Sequence, residues 1–394
     1  MSRLPILTIK PQAAKRLATG HPWIFSNELD RLPKELEPGH LVDIKTRSGE
    51  WIGRGYFNPR SLIAVRLLSR EPVTIDEEFL DRKISRAQAL RERWLPGEEA
   101  YRVVFGEADG LPGLIIDRYG PVLAAQFLTA GMDRLTEPVL KVLVKRFQPA
   151  AVVARNDAHS RALEGLPEEK RLLHGERPPS VVIRKNGLSF ELDVWEGQKT
   201  GFFLDQSENY RCLEGRVQGA RVLDAFCYTG AWGLHAARYG AKQVLGMDSS
   251  ERAIRQARAN AKQNGLESVC DFVREDVFDG LRRLQKAGER FDGIILDPPA
   301  FAKSRQKVKE AIRGYKEINR LAMMLLSPGG ILITCSCSHL VGNEAFREML
   351  VSAAVDAKRS FYIAAWRTQG RDHPIVLGIP ETQYLKCVIL QARA

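Results

Sequence analysis

Four short apolar runs between residues 221 and 297 each lead into an aspartate, and helical segments separate them. They are Arg221-Val222-Leu223-Asp224, Gln243-Val244-Leu245-Gly246-Met247-Asp248, Cys270-Asp271-Phe272-Val273-Arg274 running on to Asp276, and Gly293-Ile294-Ile295-Leu296-Asp297. Short runs of this kind suit strands buried on both faces, and the helices between them are the crossovers that parallel strands require. The alternation predicts an α/β fold: a parallel sheet covered by helices on both sides. A fifth run, Gly330-Ile331-Leu332-Ile333-Thr334, leads into Cys335-Ser336-Cys337-Ser338-His339. The last two, around Ile363–Trp366 and Tyr384–Leu390, follow without an intervening helix and predict an antiparallel pair finishing the sheet. Ligands gather at the carboxyl ends of strands in open α/β sheets, so the acids and thiols at these ends form the candidate site.

The loop after the first strand, Phe226-Cys227-Tyr228-Thr229-Gly230, leads into a helix whose N-terminal amides a ligand can approach. It is neither the dinucleotide fingerprint nor a P-loop. Asp248 lies about 24 residues beyond Asp224, where an acid in such folds receives ribose hydroxyls. Asp276 sits beside apolar residues that suit an adenine edge. Asp224 or Asp276 alone reads equally well as a helix cap or turn residue. The ordered set Asp224, Asp248, Asp276 and Asp297, with Gly230 in the first loop, resembles the S-adenosylmethionine site of Rossmann-like class I methyltransferases. A thiolate beside Asp297 suits attack on an electron-poor ring carbon. The competing reading is that the two cysteines are small buried residues ending a strand.

At 394 residues the chain is expected to hold two or three domains. No apolar run approaches the roughly 18 residues that span a bilayer, and the first residues lack a signal-peptide core, so a cytoplasmic protein without membrane contact is expected. Six cysteines with no Cys-x-x-Cys spacing argue against a disulfide framework and against a metal site. The formal net charge of +11 attracts phosphate backbones. Residues 1–75 form a β-rich unit with 12 Lys/Arg against 7 Asp/Glu, and Arg54, Tyr56, Phe57 and Arg60 suit phosphates and stacked bases. Between this unit and the parallel sheet, a helical segment from Glu77 to Trp94 precedes a strand–turn–strand stretch through Val103 and Asp117. The polar stretch from His159 to Pro179 is expected to be a loop.

Six segments carry a closer resemblance: Gly20-His21-Pro22-Trp23-Ile24-Phe25, Gly106-Glu107-Ala108-Asp109-Gly110-Leu111-Pro112-Gly113-Leu114-Ile115-Ile116-Asp117, Lys199-Thr200-Gly201-Phe202-Phe203-Leu204-Asp205-Gln206, Asp224 through Gly230, Asp297-Pro298-Pro299-Ala300-Phe301, and Ser336-Cys337-Ser338. With these the chain resembles the bacterial 23S ribosomal RNA cytosine-5 methyltransferases. The resemblance implies a PUA RNA-binding domain over residues 1–75, a linker helix and α+β EEHEE domain over 76–190, and an S-adenosylmethionine-dependent methyltransferase domain over 191–394. It implies cofactor contacts from Gln206, Asp224, Phe226, Tyr228, Gly230, Asp248, Asp276 and Asp297. It also implies that Cys337 and Asp297 are catalytic, with Cys335 the alternative nucleophile. Ser207 stands where this family often has arginine. Two other functions are weighed against this one: methylation of an exocyclic amine, which Asp297-Pro298-Pro299 with a nearby aromatic also suits, and RNA binding in ribosome assembly without catalysis. The expected partner is 23S ribosomal RNA, and the sequence leaves a homodimer open.

Overall fold

The structure is a computed structural model that describes residues 4–33, 35–178, 180–302 and 304–393. The start of the first expected domain and Pro179, the end of the expected loop, lie outside these residues. The chain divides into two compact units. One contains Met1–Ile183, Leu192–Leu204 and Arg371–Thr382; the other contains Arg184–Glu191, Asp205–Gly370 and Gln383–Ala394.

The first unit is built on two five-stranded sheets. Strands β1 (Ile6–Ile9), β2 (Trp23–Ile24), β3 (His40–Thr46), β4 (Trp51–Phe57) and β5 (Val65–Ser69) are ordered β1-β3-β4-β5-β2, with helix α1 (Pro11–Ala18) following β1. Val42 and Ile44 of β3 point inward at alternate positions and join Ile9, Leu17, Ile24 and Phe57 in one core, the two-residue periodicity of a half-buried strand. Helix α2 (Glu77–Trp94) leads to the second sheet, and Asp76 caps it by accepting the Phe79 amide at 2.9 Å.

That sheet holds β6 (Ala100–Phe105), β7 (Leu114–Tyr119), β8 (Val122–Phe127), β9 (Ala151–Asn156) and β10 (Glu169–Gly175) in the order β10-β9-β8-β7-β6. Only β8 and β9 run parallel, and α3 (Ala130–Arg134) and α4 (Thr136–Phe147) make the crossover between them. The stretch from His159 is not simply a loop. It contains the short helix α5 (Ser160–Leu163) and strand β10, antiparallel to β9. As a sheet edge, β10 needs backbone partners on one side only and buries none of its seven residues, so it carries no apolar alternation to read.

A hairpin of β11 (Val181–Lys185) and β12 (Leu188–Leu192) follows. The second unit is built on a seven-stranded sheet. Its strands are β13 (Arg221–Ala225), β14 (Gln243–Asp248), β15 (Cys270–Arg274), β16 (Phe291–Leu296), β17 (Leu326–Ser336), β18 (Phe361–Arg367) and β19 (Lys386–Ala392), ordered β15-β14-β13-β16-β17-β19-β18. Strands β13 to β17 are parallel, as the alternation predicts, and β18 and β19 add the antiparallel edge. The crossovers are α6 (Ala231–Arg238), α7 (Glu251–Gln263), α8 (Val277–Lys286) and α9 (Val308–Leu325), and α10 (Asn343–Asp356) follows β17. Leu223, Ile294, Leu296 and Leu332 from the strands pack with Leu281, Tyr315, Ile318 and Phe346 from the helices in one core. The strand order reverses beside β13, between β14 and β16, which opens a crevice at the strand ends for a ligand.

Candidate active site

The first strand-end loop is held in an uncommon backbone shape. Phe226 and Tyr228 have φ of 67° and 48°, and Gly230 has φ of 85°. Left-handed non-glycine residues cost on the order of 1–3 kcal/mol each, and such strain concentrates at functional sites. A side chain at Gly230 would also bring Cβ within 2.9 Å of the Phe272 ring. Four backbone donors fasten the loop: Cys227 N to Met247 O (3.0 Å), Tyr228 N to Asp248 Oδ2 (3.0 Å), Gly230 N to Cys227 O (2.8 Å) and Gly233 N to Asp224 Oδ2 (2.8 Å).

Asp224 is fully buried, and its other oxygen, Oδ1, has no hydrogen-bond partner among the described residues. Burial pushes this carboxyl up to about 8, against the pull of the Gly233 amide. Asp248 accepts Tyr228 N and, at 2.9 Å, Ser250 N, leaving lone pairs on both oxygens for a diol. Asp276 is exposed and caps α8 through the Phe278 and Asp279 amides, so the cap reading of this residue holds. It forms no hydrogen bond with the other expected site residues. The strained loop, the orphaned Asp224 oxygen and the amide-held Asp248 fit S-adenosylmethionine, whose bound form supplies a methyl group on a sulfonium.

Asp297 follows β16 and gathers donors from two other segments. Gln206 Nε2 donates to Oδ1 and Oδ2 at 3.0 Å each, and Trp232 Nε1 donates to Oδ2 at 2.9 Å. Asn209 Nδ2 fixes Gln206 in turn by donating to its Oε1 at 2.7 Å. Gln206 therefore positions Asp297, whatever it offers the cofactor. The neighbouring Ser207 is buried, with its hydroxyl unpartnered among the described residues and its carbonyl accepting Asn186 Nδ2 at 2.7 Å. Phe301 packs against Phe226, Phe278 and Tyr315, with ring centroids 6.3, 6.2 and 4.6 Å away.

Leu296 of β16 lies opposite Thr334 of β17, so Asp297 and the two cysteines leave adjacent parallel strands. The cysteines differ sharply. Cys335 is 0 % exposed and pairs in register with Cys387 of β19. Burial, then the Cys387 side chain, push its thiol well above the ordinary cysteine range. Cys337 lies beyond the end of β17 and is half-buried. Its neighbour Ser338 is anchored at 3.0 Å between hydroxyls by Tyr315, and Lys386 Nζ donates to Ser338 O at 2.7 Å and Tyr384 O at 2.8 Å. Burial pushes the Lys386 ammonium down to about 8, while the charge of Cys337 works the other way.

The structure joins Tyr228 to Asp248, Gln206 to Asp297, and Phe226 to the ring that follows Asp297-Pro298-Pro299. Sequence reasoning missed Trp232, Asn209, Tyr315 and Lys386. Trp232 lay two residues past Gly230 and was open to suspicion from that position. Asn209 lies three residues past Gln206, whereas Tyr315 and Lys386 reach the site only through tertiary packing. Among the described residues no cluster of His, Cys, Asp or Glu is arranged to hold a metal ion.

A PUA-like domain family matches residues 7–70, and the S-adenosylmethionine-dependent methyltransferase family matches residues 166–365. Ribosomal RNA large subunit methyltransferase I of Shewanella denitrificans is 41% identical over 389 residues, covering 97% of this chain and 98% of that one. The protein of the same name from Tolumonas auensis is 41% identical, covering 96% and 97%. Among solved structures, a candidate SAM-dependent methyltransferase from Streptococcus mutans superposes with a TM-score of 0.84 at 21% identity, covering 98% of this chain and all of that one. A candidate methyltransferase in complex with SAH gives 0.87 at 20% identity, with the same coverage. These two likenesses establish a shared fold. The residue-level identity over nearly the whole chain goes further: the chain belongs to the ribosomal RNA large subunit methyltransferase I family and is an S-adenosylmethionine-dependent methyltransferase with a PUA-like domain.

Proposed function

We propose that the chain methylates carbon 5 of a cytosine in 23S ribosomal RNA, with Cys337 as the nucleophile. The contrast between the two thiols carries this reading: one is sealed between strands, the other stands half-buried at the strand end beside a buried ammonium. The RNA substrate is carried over from the names of the full-length relatives. In this reading residues 1–75 and 76–190 hold the RNA, residues 191–394 perform the chemistry, and the enzyme works in the cytoplasm. Gln206, Asp224, Phe226, Tyr228, Gly230, Asp248, Asp276 and Asp297 surround the cofactor.

Carbon 5 of cytosine is too poor a nucleophile to be methylated directly. The Cys337 thiolate adds to carbon 6, and the displaced π electrons make carbon 5 nucleophilic. Asp297, oriented by Gln206 and Trp232, accepts a hydrogen bond from the protonated ring nitrogen 3 and so supports the added electron density. After carbon 5 takes the methyl group, a base removes its proton. Those electrons re-form the 5,6 double bond, the carbon–sulfur bond breaks, and the thiolate returns. The target base must lie out of its stack to enter such a site. Methylation of an exocyclic amine needs no thiol and an aromatic face offered to the base. The packing of Phe301 against three other rings favours the ring-carbon reaction.

The test is a 5-fluorocytosine RNA, whose fluorine blocks the final proton removal. Wild type should form a covalent adduct that survives denaturation, Cys337→Ala should form none and lose methylation, and Cys335→Ala should retain both. An adduct that disappears with Cys335→Ala and persists with Cys337→Ala would exchange their roles. Turnover without any adduct would support amine methylation.

A further inference from the structure

Two of the motifs that mark this chain, Gly20 to Phe25 and Gly106 to Asp117, play no part in the chemistry above. Within the first unit they meet. Trp23 Nε1 donates to Glu107 Oε1 at 2.9 Å. Pro22 of one motif, with Glu107 and Gly110 of the other, lines a cavity of about 330 Å³ that Arg70 and, from α2, Arg82, Lys83 and Arg86 also line. Against these four cations the lining offers two acids, Glu71 and Glu107.

The cations are unequally satisfied. Arg70 donates to Leu17 O and His21 O, and Arg82 pairs with Glu78 at 2.6 Å. Lys83 and Arg86 have no ion pair and no hydrogen bond among the described residues. Lys83 is half-buried, with the face of the Phe79 ring 5.6 Å away. Its Nζ lies over Gly110, where a Cβ would come within 2.7 Å, and Gly110 has a left-handed φ of 66°. A Cβ there would force the ammonium to move aside. Burial and then Arg86 hold the Lys83 ammonium below the ordinary lysine range, while Asp109 and Glu71 only partly oppose them. A desolvated cation beside a second one, with no bonded counter-charge, is costly to maintain, and an anion between them removes that cost.

We propose that this cavity binds a phosphate group of the RNA backbone, with Lys83 and Arg86 as its charge partners and Gly110 leaving room for the Lys83 ammonium. The choice of RNA rests on the substrate proposed above. The pair Lys83→Gln/Arg86→Gln, in the full chain, should bind a ribosomal RNA fragment about tenfold more weakly. Its log–log salt dependence should be shallower by about one to two units. Turnover at saturating RNA and affinity for S-adenosylhomocysteine should not change, and Lys83→Arg/Arg86→Lys should recover most of the binding. Unchanged RNA affinity and salt slope in the glutamine pair would overturn the proposal. Should wild type bind no RNA at all, the substrate reading fails, and tripolyphosphate then judges the cavity through its shielding of Lys83 from acylation. Shielding by tripolyphosphate alone would overturn RNA as the occupant, and no shielding would overturn the anion site itself.

Discussion

The two units treat charge in different ways. In the first, buried arginines and carboxylates answer each other: Arg91 with Asp109 at 2.5 Å, Arg102 with Asp117 at 2.7 Å, and Arg66 with Glu164 at 2.9 Å. In the second, the acids at the strand ends accept hydrogen bonds from neutral donors among the described residues. Asp224, Asp248 and Asp276 accept backbone amides, and Asp297 accepts the Gln206 amide and the Trp232 indole. A carboxylate closed into an ion pair fixes structure and offers little to a ligand. One oriented by neutral donors keeps its charge, or its proton, for what binds next. Asp224 shows the consequence: burial first, and then the charges of Asp297 and Asp248, push its carboxyl up to about 8 against the pull of the Gly233 amide.

The sharpest way to break this contrast is at Asp297. Asp297→Asn removes the charge and turns an amide N–H toward donors already in place. Methylation should fall by roughly 10² to 10⁴-fold in steady-state assays, while thermal unfolding shifts little. Activity within a few-fold of wild type would show that this acid, like those of the first unit, is structural.

The reverse experiment is Arg91→Met, which leaves Asp109 buried without its partner. A loss of about 3–5 kcal/mol is expected in denaturant unfolding followed by a probe in the first unit. S-adenosylhomocysteine affinity, measured by calorimetry, should be unchanged. A parallel loss of cofactor affinity would mean that charge pairing in one unit supports the site in the other.

A smaller effect concerns pH. His235 of α6 is fully buried between Phe190 and Tyr210, and burial pushes it down to about 4 from an ordinary 6.5. Above pH 6.5 it is neutral in both folded and unfolded chains and contributes no pH dependence. As pH falls from 6.5 towards 4, the unfolded chain takes up a proton that the folded one refuses, so stability drops by up to about 3 kcal/mol. Asp224 acts in the opposite sense, because its folded form keeps a proton that the unfolded chain releases between about pH 4 and 8. Comparing wild type with His235→Phe isolates the histidine. Wild type should lose stability relative to the variant by roughly 2–3 kcal/mol as pH falls from 7.5 to 4.5, since only wild type carries this penalty. A constant difference across that range would rule out His235 as the source.

Much of the second unit was legible because its signals are local. A strand buried on both faces must be continuously apolar, so β13, β14, β16 and β17 announced themselves, and their ends placed Asp224, Asp248, Asp297 and the thiols. Strand β10 was not legible, since an edge strand pairs through its backbone and leaves its side chains free to be polar. Nor were the supports of the site. Lys386 fixes Ser338 across 48 residues of chain that carry no shared periodicity, and Asn209, though only three residues from Gln206, fixes it within irregular chain that has no pattern to read.

The sequence by itself determined the parallel sheet, the order of acids at its edge and the presence of two cysteines at one strand end. Each follows from hydrophobic periodicity and chain connectivity, which act over a few residues. Which cysteine stands accessible was decided by tertiary structure alone. Strand β19 arrives from 50 residues downstream, places Cys387 against Cys335 and Lys386 beside Ser338, and so seals one thiol while setting a cation near the other. Burial and electrostatic environment depend on what packs alongside, and no local pattern records that.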